Sequence, residues 1–186
     1  MAQFYPYESL KNNMKKFALL LSFLFFATVF AANAQEDKAK RPSPPVSAKE
    51  TISSGATISI NYSQPSVKGR TIGKDLEPMA GKVWRAGANE ATVFETDKDV
   101  MIEGKSLPAG KYAFFTIDND SDWTLIFNKT SDQWGAYDYK EADDALRVTV
   151  KPEKAKSFSE KLTYKVDKSG EVSLLWGDKD VSFNVK

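Results

Sequence analysis

From Ala56 to Lys186 the chain alternates apolar and polar residues with period two, in one short segment after another. That spacing puts alternate side chains on opposite faces of a pleated strand, so it predicts half-buried β-strands. Ile58, Ile60 and Tyr62 oppose Thr57, Ser59 and Asn61, and Leu146, Val148 and Val150 oppose Arg147, Thr149 and Lys151. Leu162, Tyr164 and Val166 repeat the pattern, as do Val181, Phe183 and Val185. Two stretches, Tyr112 to Ile117 and most of Val172 to Trp176, are apolar on both faces, which predicts central strands or strands under a covering loop. Turn residues punctuate the segments. Leu107-Pro108-Ala109-Gly110 carries Pro second and Gly fourth, a type I turn from which a hairpin is expected. Asp167-Lys168-Ser169-Gly170 fits a bulged hairpin loop, and Gly177-Asp178-Lys179 is expected to separate the last two strands. Helical periodicity is nearly absent and no internal repeat occurs. The predicted fold is all-β: a two-sheet antiparallel sandwich of about nine or ten strands over residues 53–186, immunoglobulin-like or jelly-roll.

The N-terminus follows a different rule. Lys15 and Lys16 precede an apolar run from Phe17 to Phe30, and Ala32-Asn33-Ala34 has the small-residue form that signal peptidase reads. Residues 1–34 are therefore expected to be a signal peptide, with Met14 as the working start and cleavage before Gln35. The apolar run falls short of the ~20 residues that a spanning helix needs, so no membrane span is expected after cleavage. The expected location is exported, periplasmic or extracellular. Cleavage leaves 152 of the 186 residues, enough for one domain. The chain has no cysteine, which excludes a lipid anchor and any disulfide and leaves stability to packing. The processed chain carries 23 Lys and Arg against 24 Asp and Glu with no block of like charge, a balance that argues against nucleic acid as a partner. Residues 35–52 contain Pro42, Pro44 and Pro45 and are expected to be an extended linker.

Composition removes most familiar enzyme chemistries. Without histidine or cysteine there is no Ser-His-Asp triad, no thiol nucleophile, and no His-liganded metal, haem or iron–sulfur site of the usual kind. No serine has a lysine three residues on, and Gly-rich phosphate loops are missing. No cofactor is expected. The acidic run Asp118-Asn119-Asp120-Ser121-Asp122 offers oxygen ligands, but Trp123 and Lys129 stand where a calcium loop needs Gly and Glu, so a plain turn is expected there and no metal. Of the four tryptophans, Trp123 and Trp176 sit on apolar strand faces and read as core. Trp134, Tyr137 and Tyr139 lie in a connection, where packing over the sheet is favoured over ligand stacking.

Several longer motifs remain. Tyr62-Ser63-Gln64-Pro65-Ser66-Val67-Lys68-Gly69-Arg70 is followed by Gly81-Lys82-Val83-Trp84-Arg85-Ala86-Gly87-Ala88-Asn89-Glu90-Ala91-Thr92, then by Leu107 to Tyr112, Trp123 to Lys129, Gln133 to Tyr137 and Leu146-Arg147-Val148. Together these resemble the secreted bacterial, Bacteroidetes-type family known as domain of unknown function 2911, across nearly the whole expected domain. The resemblance implies an exported setting and supplies no activity. Gln64 and Ala86 stand where the family pattern often has Arg and Thr, which removes one cation from the motif region.

Lys68, Arg70, Trp84, Arg85, Asn89 and Glu90 form the candidate ligand-binding set. Two arginines can grip a carboxylate or phosphate with two prongs, Trp84 can offer a stacking face, and Glu90 can accept from a hydroxyl or act as a general base. The competing reading gives Gly87 and Asn89 left-handed turn positions and pairs Arg70 or Arg85 with Glu90. The leading expectation is a non-catalytic binding or envelope-associated domain, with envelope glycan or peptide as partner. One alternative is a carboxylate-dependent hydrolase in which Glu90 is catalytic and Glu95, Asp97 or Asp138 supplies the second carboxylate. The other is an interaction module that uses a sheet edge.

Overall fold

Each alternating segment becomes a strand in the computed structural model, which describes residues 38–186. The signal-peptide reading and Gln35 to Asp37 lie outside the described residues. The fold belongs to the unit Pro42–Lys186; of the unit before it, only Lys38–Arg41 are described, as a short helical turn. The strands are β1 (Pro45–Thr51), β2 (Thr57–Ser63), β3 (Val83–Trp84), β4 (Ala88–Thr96), β5 (Val100–Ile102), β6 (Lys105–Leu107), β7 (Gly110–Asp118), β8 (Trp123–Asn128), β9 (Asp144–Val150), β10 (Glu153–Val166) and β11 (Glu171–Asn184).

A seven-stranded antiparallel sheet runs in the order β1-β2-β4-β7-β8-β9, and β3 continues the β4 side of β7 through Val83↔Ile117 and Trp84↔Thr116. The long β10–β11 hairpin and the short β5–β6 hairpin form the opposing layer. The result is a two-layer antiparallel sandwich whose large sheet keeps its strands in chain order, with the chain leaving it for β5 and β6 between β4 and β7. Period-two alternation could not supply that order, because it fixes faces and not neighbours.

The core between the layers collects the inward residues that the alternation marks. Ile58, Ile60, Phe94, Phe114, Leu125 and Phe127 from the large sheet meet Leu162, Tyr164, Leu174 and Phe183 from the hairpin. Phe183 lies 5.9 Å from Phe114, 6.1 Å from Phe127 and 6.5 Å from Phe94, centroid to centroid, and so ties the layers through aromatic contacts. The doubly apolar stretch from Tyr112 to Ile117 is explained by its position. Tyr112 and Phe114 face the main core, while Ala113, Phe115 and Ile117 face a second cluster under the connection that carries Ala136 and Tyr139.

Two expectations are corrected. Residues 45–51 are not linker but edge strand β1, paired with β2 from Pro45↔Ser63 to Thr51↔Thr57. Only Val46 and Ala48 signal its inner face, and Pro45 is tolerated at the strand start of an edge. The Leu107–Gly110 turn does not make a hairpin: β6 pairs with β5, and β7 pairs with β4 and β8. The Asp99 carboxylate accepts from Ala109 N at 2.8 Å, and the Tyr112 hydroxyl donates to Pro108 O at 2.8 Å, which hold the turn as a connection between layers. Gly177-Asp178-Lys179 lies within the element β11, and there the chain doubles back as expected, so that Val185 N donates to Gly170 O at 2.8 Å. Gly177 adopts φ 59°, and a Cβ on it would stand 2.6 Å from Ile72 Cδ1. The bend brings Ser173 and Ser182 hydroxyls to 2.8 Å on the outer side.

Candidate functional site

The segment between β3 and β4 is a corner that the interior dictates. Trp84 is 3% exposed and sets its ring edge-on to Trp123 at 6.5 Å. Its indole N–H donates to Gly87 O at 3.2 Å, folding the chain back on itself. Ala86, fully buried, takes φ 49°, and its carbonyl accepts from Thr92 Oγ1 at 2.9 Å and from Tyr164 Oη at 2.8 Å. Burial, followed by the neighbouring Tyr62, pushes the Tyr164 phenol well above its usual range, so it stays protonated and donates. Gly87 is required by space: a Cβ would lie 2.7 Å from Thr92 Oγ1 and 3.3 Å from Ser63 O. Asn89 holds the second left-handed position, at φ 57°, and its amide donates to Ser43 O at 3.1 Å.

Residues 64–70 join the two layers. Gln64 N donates to Pro44 O at 2.9 Å and Gln64 Nε2 to Leu162 O at 2.9 Å. Val67 N donates to Glu160 O, Leu162 N donates to Pro65 O, and Lys68 N reaches the Glu160 carboxylate at 2.7 Å. Arg70 folds over this strap, with Nε donating to Val67 O at 3.1 Å and Nη2 to Ser66 O at 2.6 Å.

The connection from β8 to β9 covers the outer face of the large sheet. Tyr139 packs edge-on against Phe115 at 5.1 Å, and its hydroxyl donates to the Asp144 carboxylate at 2.8 Å while accepting from Arg147 Nη2. Arg147 Nε also donates to Asp144, at 2.7 Å. Burial and the hydrogen bond to Asp144 push the Tyr139 phenol up to about 12. The same connection leaves Trp134 52% and Tyr137 79% exposed, so these two rings do not pack over the sheet as expected; only Tyr139 does. Trp134 bridges Glu90 through the main chain, and Ala91 N donates to Gln133 O at 3.0 Å.

Corner, strap and connection converge on a cavity of about 280 Å³ lined by Arg70, Trp84, Arg85, Asn89 and Trp134. Four of the six candidate residues therefore meet there. Lys68 is exposed and not among its lining residues, and neither is Glu90, which is partly buried. Arg85 donates from Nη1 to Asn89 O at 2.8 Å and stands 6.0 Å from the Tyr137 ring centroid. The family model described as "Protein of unknown function (DUF2911)" matches residues 43–185, which begins at the residue whose carbonyl holds Asn89. The chain belongs to the DUF2911 family. No curated protein and no solved structure matches the chain.

Within this DUF2911 domain much of the motif polarity is structural. The expected stacking face on Trp84 is corrected: the ring is core, and Trp134 is the exposed indole. The partners of Arg70 and Arg85 also differ from the pairing considered for them. Among the described residues their hydrogen bonds run to main-chain carbonyls, and neither guanidinium has a carboxylate at ion-pair distance. Most of the five N–H donors on each remain available.

The candidate second carboxylates are placed by the same geometry. Glu95 lies five residues along β4 from Glu90, about 16 Å at ~3.3 Å per residue, well beyond the ~5–10 Å that glycoside hydrolysis uses. It also pairs with Lys111 across the strands at 3.5 Å. Asp97, farther still, caps Thr57 N at 2.7 Å, and that backbone N–H holds its carboxyl below the ordinary range. Asp138 is exposed in the covering connection.

A second, larger cavity of about 490 Å³ shares Arg70 and Trp176 with the first. Asp118 and Asp120 from the β7–β8 turn lie on its wall, opened by the bend in β11. Asp118 is taken up by Lys179 at 2.6 Å, and its other oxygen accepts from Asp120 N at 3.0 Å, so this acidic run is built as a braced turn. Sequence reasoning missed this cavity because its walls come from segments far apart in the chain, which alternation does not place side by side.

Proposed function

We propose that this domain is a non-catalytic binding module of the exported envelope, and that the Arg70–Arg85–Trp134 face takes a carboxylate-bearing envelope glycan or peptide. The observation that carries this reading is that two guanidiniums from separate loops line one cavity beside a half-exposed indole, each fixed by carbonyls and neither neutralised by a carboxylate. A pre-positioned fork beside an aromatic face supplies both charge and stacking area to a ligand with a carboxylate next to a flat apolar surface. Asn89 fixes the loop that presents Arg85. The export signal read in residues 14–34 supports an envelope setting.

Calorimetric titration with acidic oligosaccharides and peptidoglycan fragments tests the reading. Arg85→Gln and Trp134→Ala are expected to lower affinity at least tenfold with unfolding free energy kept within about 0.5 kcal/mol of wild type, as for surface substitutions. Arg85→Lys keeps the charge but loses the fork and should recover only part of the affinity. Unchanged affinity in all three variants overturns the assignment, and turnover of any bound fragment overturns its non-catalytic part.

A further inference from the structure

The larger cavity is chemically unlike the face just described. Its apolar floor is Ile72, Trp176 and the ring of Phe158, which is 55% exposed at the rim. Five charged side chains line it, but they are not equivalent. Asp118 and Lys179 neutralise one another at 2.6 Å. Arg70, Asp120 and Asp178 have no ion-pair partner among the described residues. Arg70 stands on the wall shared with the smaller cavity, whereas Asp120 and Asp178 come from the β7–β8 turn and the β11 bend.

A cavity of about 490 Å³ is of the size that takes a small ligand, and its charges define which one. A polyanion would gain Arg70 but meet two unpaired carboxylates, and a neutral sugar would desolvate all three charges without pairing any. A ligand with one carboxylate, one ammonium and an apolar group between them satisfies every element. We infer that this cavity binds a short peptide with free termini, its carboxylate on Arg70, its amine between Asp120 and Asp178, and an apolar side chain against Ile72 and Phe158. The site shares Arg70 with the face proposed above but needs neither Arg85 nor Trp134.

The probe is the tripeptide alanyl-leucyl-alanine, compared with its C-terminal amide and its N-acetyl derivative by calorimetry at low salt. The free tripeptide is expected to bind at least tenfold more tightly than either blocked form. Asp120→Asn with Asp178→Asn should remove the penalty for acetylation and leave the penalty for amidation, and Arg70→Gln should do the converse. All three positions are exposed, and asparagine accepts the left-handed backbone of Asp120 (φ 68°), so the variants are expected to melt as wild type does. Arg85→Gln with Trp134→Ala should leave tripeptide binding unchanged, which separates failure here from failure of the neighbouring face. Equal affinity for the three peptides, no binding of any at millimolar concentration, or loss of binding in the Arg85 and Trp134 double variant each overturns the inference.

Discussion

The corner from Trp84 to Thr92 and the connection from Gln133 to Tyr139 touch through the Glu90–Trp134 bridge, yet they spend their polar and aromatic residues in opposite ways. In the corner Trp84 is 3% exposed, and the hydrogen bonds from Trp84, Thr92 and Tyr164 all serve the carbonyls of buried Ala86 and Gly87. In the connection Trp134 and Tyr137 stand in solvent, and only Tyr139 turns inward. The lesson is that a dense polar motif is not by itself a functional site. A chain that reverses direction inside a core must satisfy each backbone group it strands there, and that alone demands Trp, Thr, Gly and Asn at fixed positions.

Substitutions should separate the two regions by what they cost. Trp84→Ala is expected to be the most damaging, about 3–5 kcal/mol in denaturant unfolding, because it removes a buried indole from its contact with Trp123 and frees the Gly87 carbonyl. A loss below 1 kcal/mol would break the contrast between corner and connection. Gly87→Ala comes next, at about 2–3 kcal/mol, since the new methyl group displaces Thr92 from the Ala86 carbonyl. Relief of this cost in Gly87→Ala combined with Thr92→Ala would assign it to that one contact.

Tyr139 is the inward part of the exposed connection, and Tyr139→Phe should cost about 1–2 kcal/mol at neutral pH through the lost bonds to Asp144 and Arg147. The sign of its pH dependence follows from its raised value. Unfolded tyrosine ionises near 10 while the folded phenol holds its proton to about 12, so its contribution is intact below pH 10 and disappears as pH rises from 10 to 12. Tyrosinate absorbance against pH, in wild type and Tyr139→Phe, checks this; a Tyr139 that titrates near 10 would show that its ring and hydroxyl are not held inward. The smallest effect is expected for Tyr137→Ala, within about 0.5 kcal/mol, because 79% of that residue is already exposed. A larger loss would show that its contact with Arg85 stabilises the fold.

Strands of both layers were legible because burial on one face leaves a period-two trace: Ile58, Ile60 and Tyr62, or Val181, Phe183 and Val185, point inward as the alternation requires. β1 was not legible, since edge strands need little apolar side chain and Val46 and Ala48 leave too faint a signal. At the site, the arginines and Asn89 were found by residue type, but the roles of Trp84 and Trp134 were exchanged. Nothing local distinguishes an indole that points into a core from one that points out of a loop.

By itself the sequence determined the all-β class, the inner faces of most strands, the DUF2911 motifs and the chemistries excluded by the absence of histidine and cysteine. Composition and periodicity are local quantities and survive without any knowledge of partners. Only the tertiary structure decided the strand order with β5 and β6 in the other layer, the pairing of β1 at the sheet edge, and the meeting of Arg70 with Arg85 in one cavity and with Asp120 and Asp178 in the other. Each of these depends on contacts between segments far apart in the chain, and alternation carries no information about which strand lies beside which.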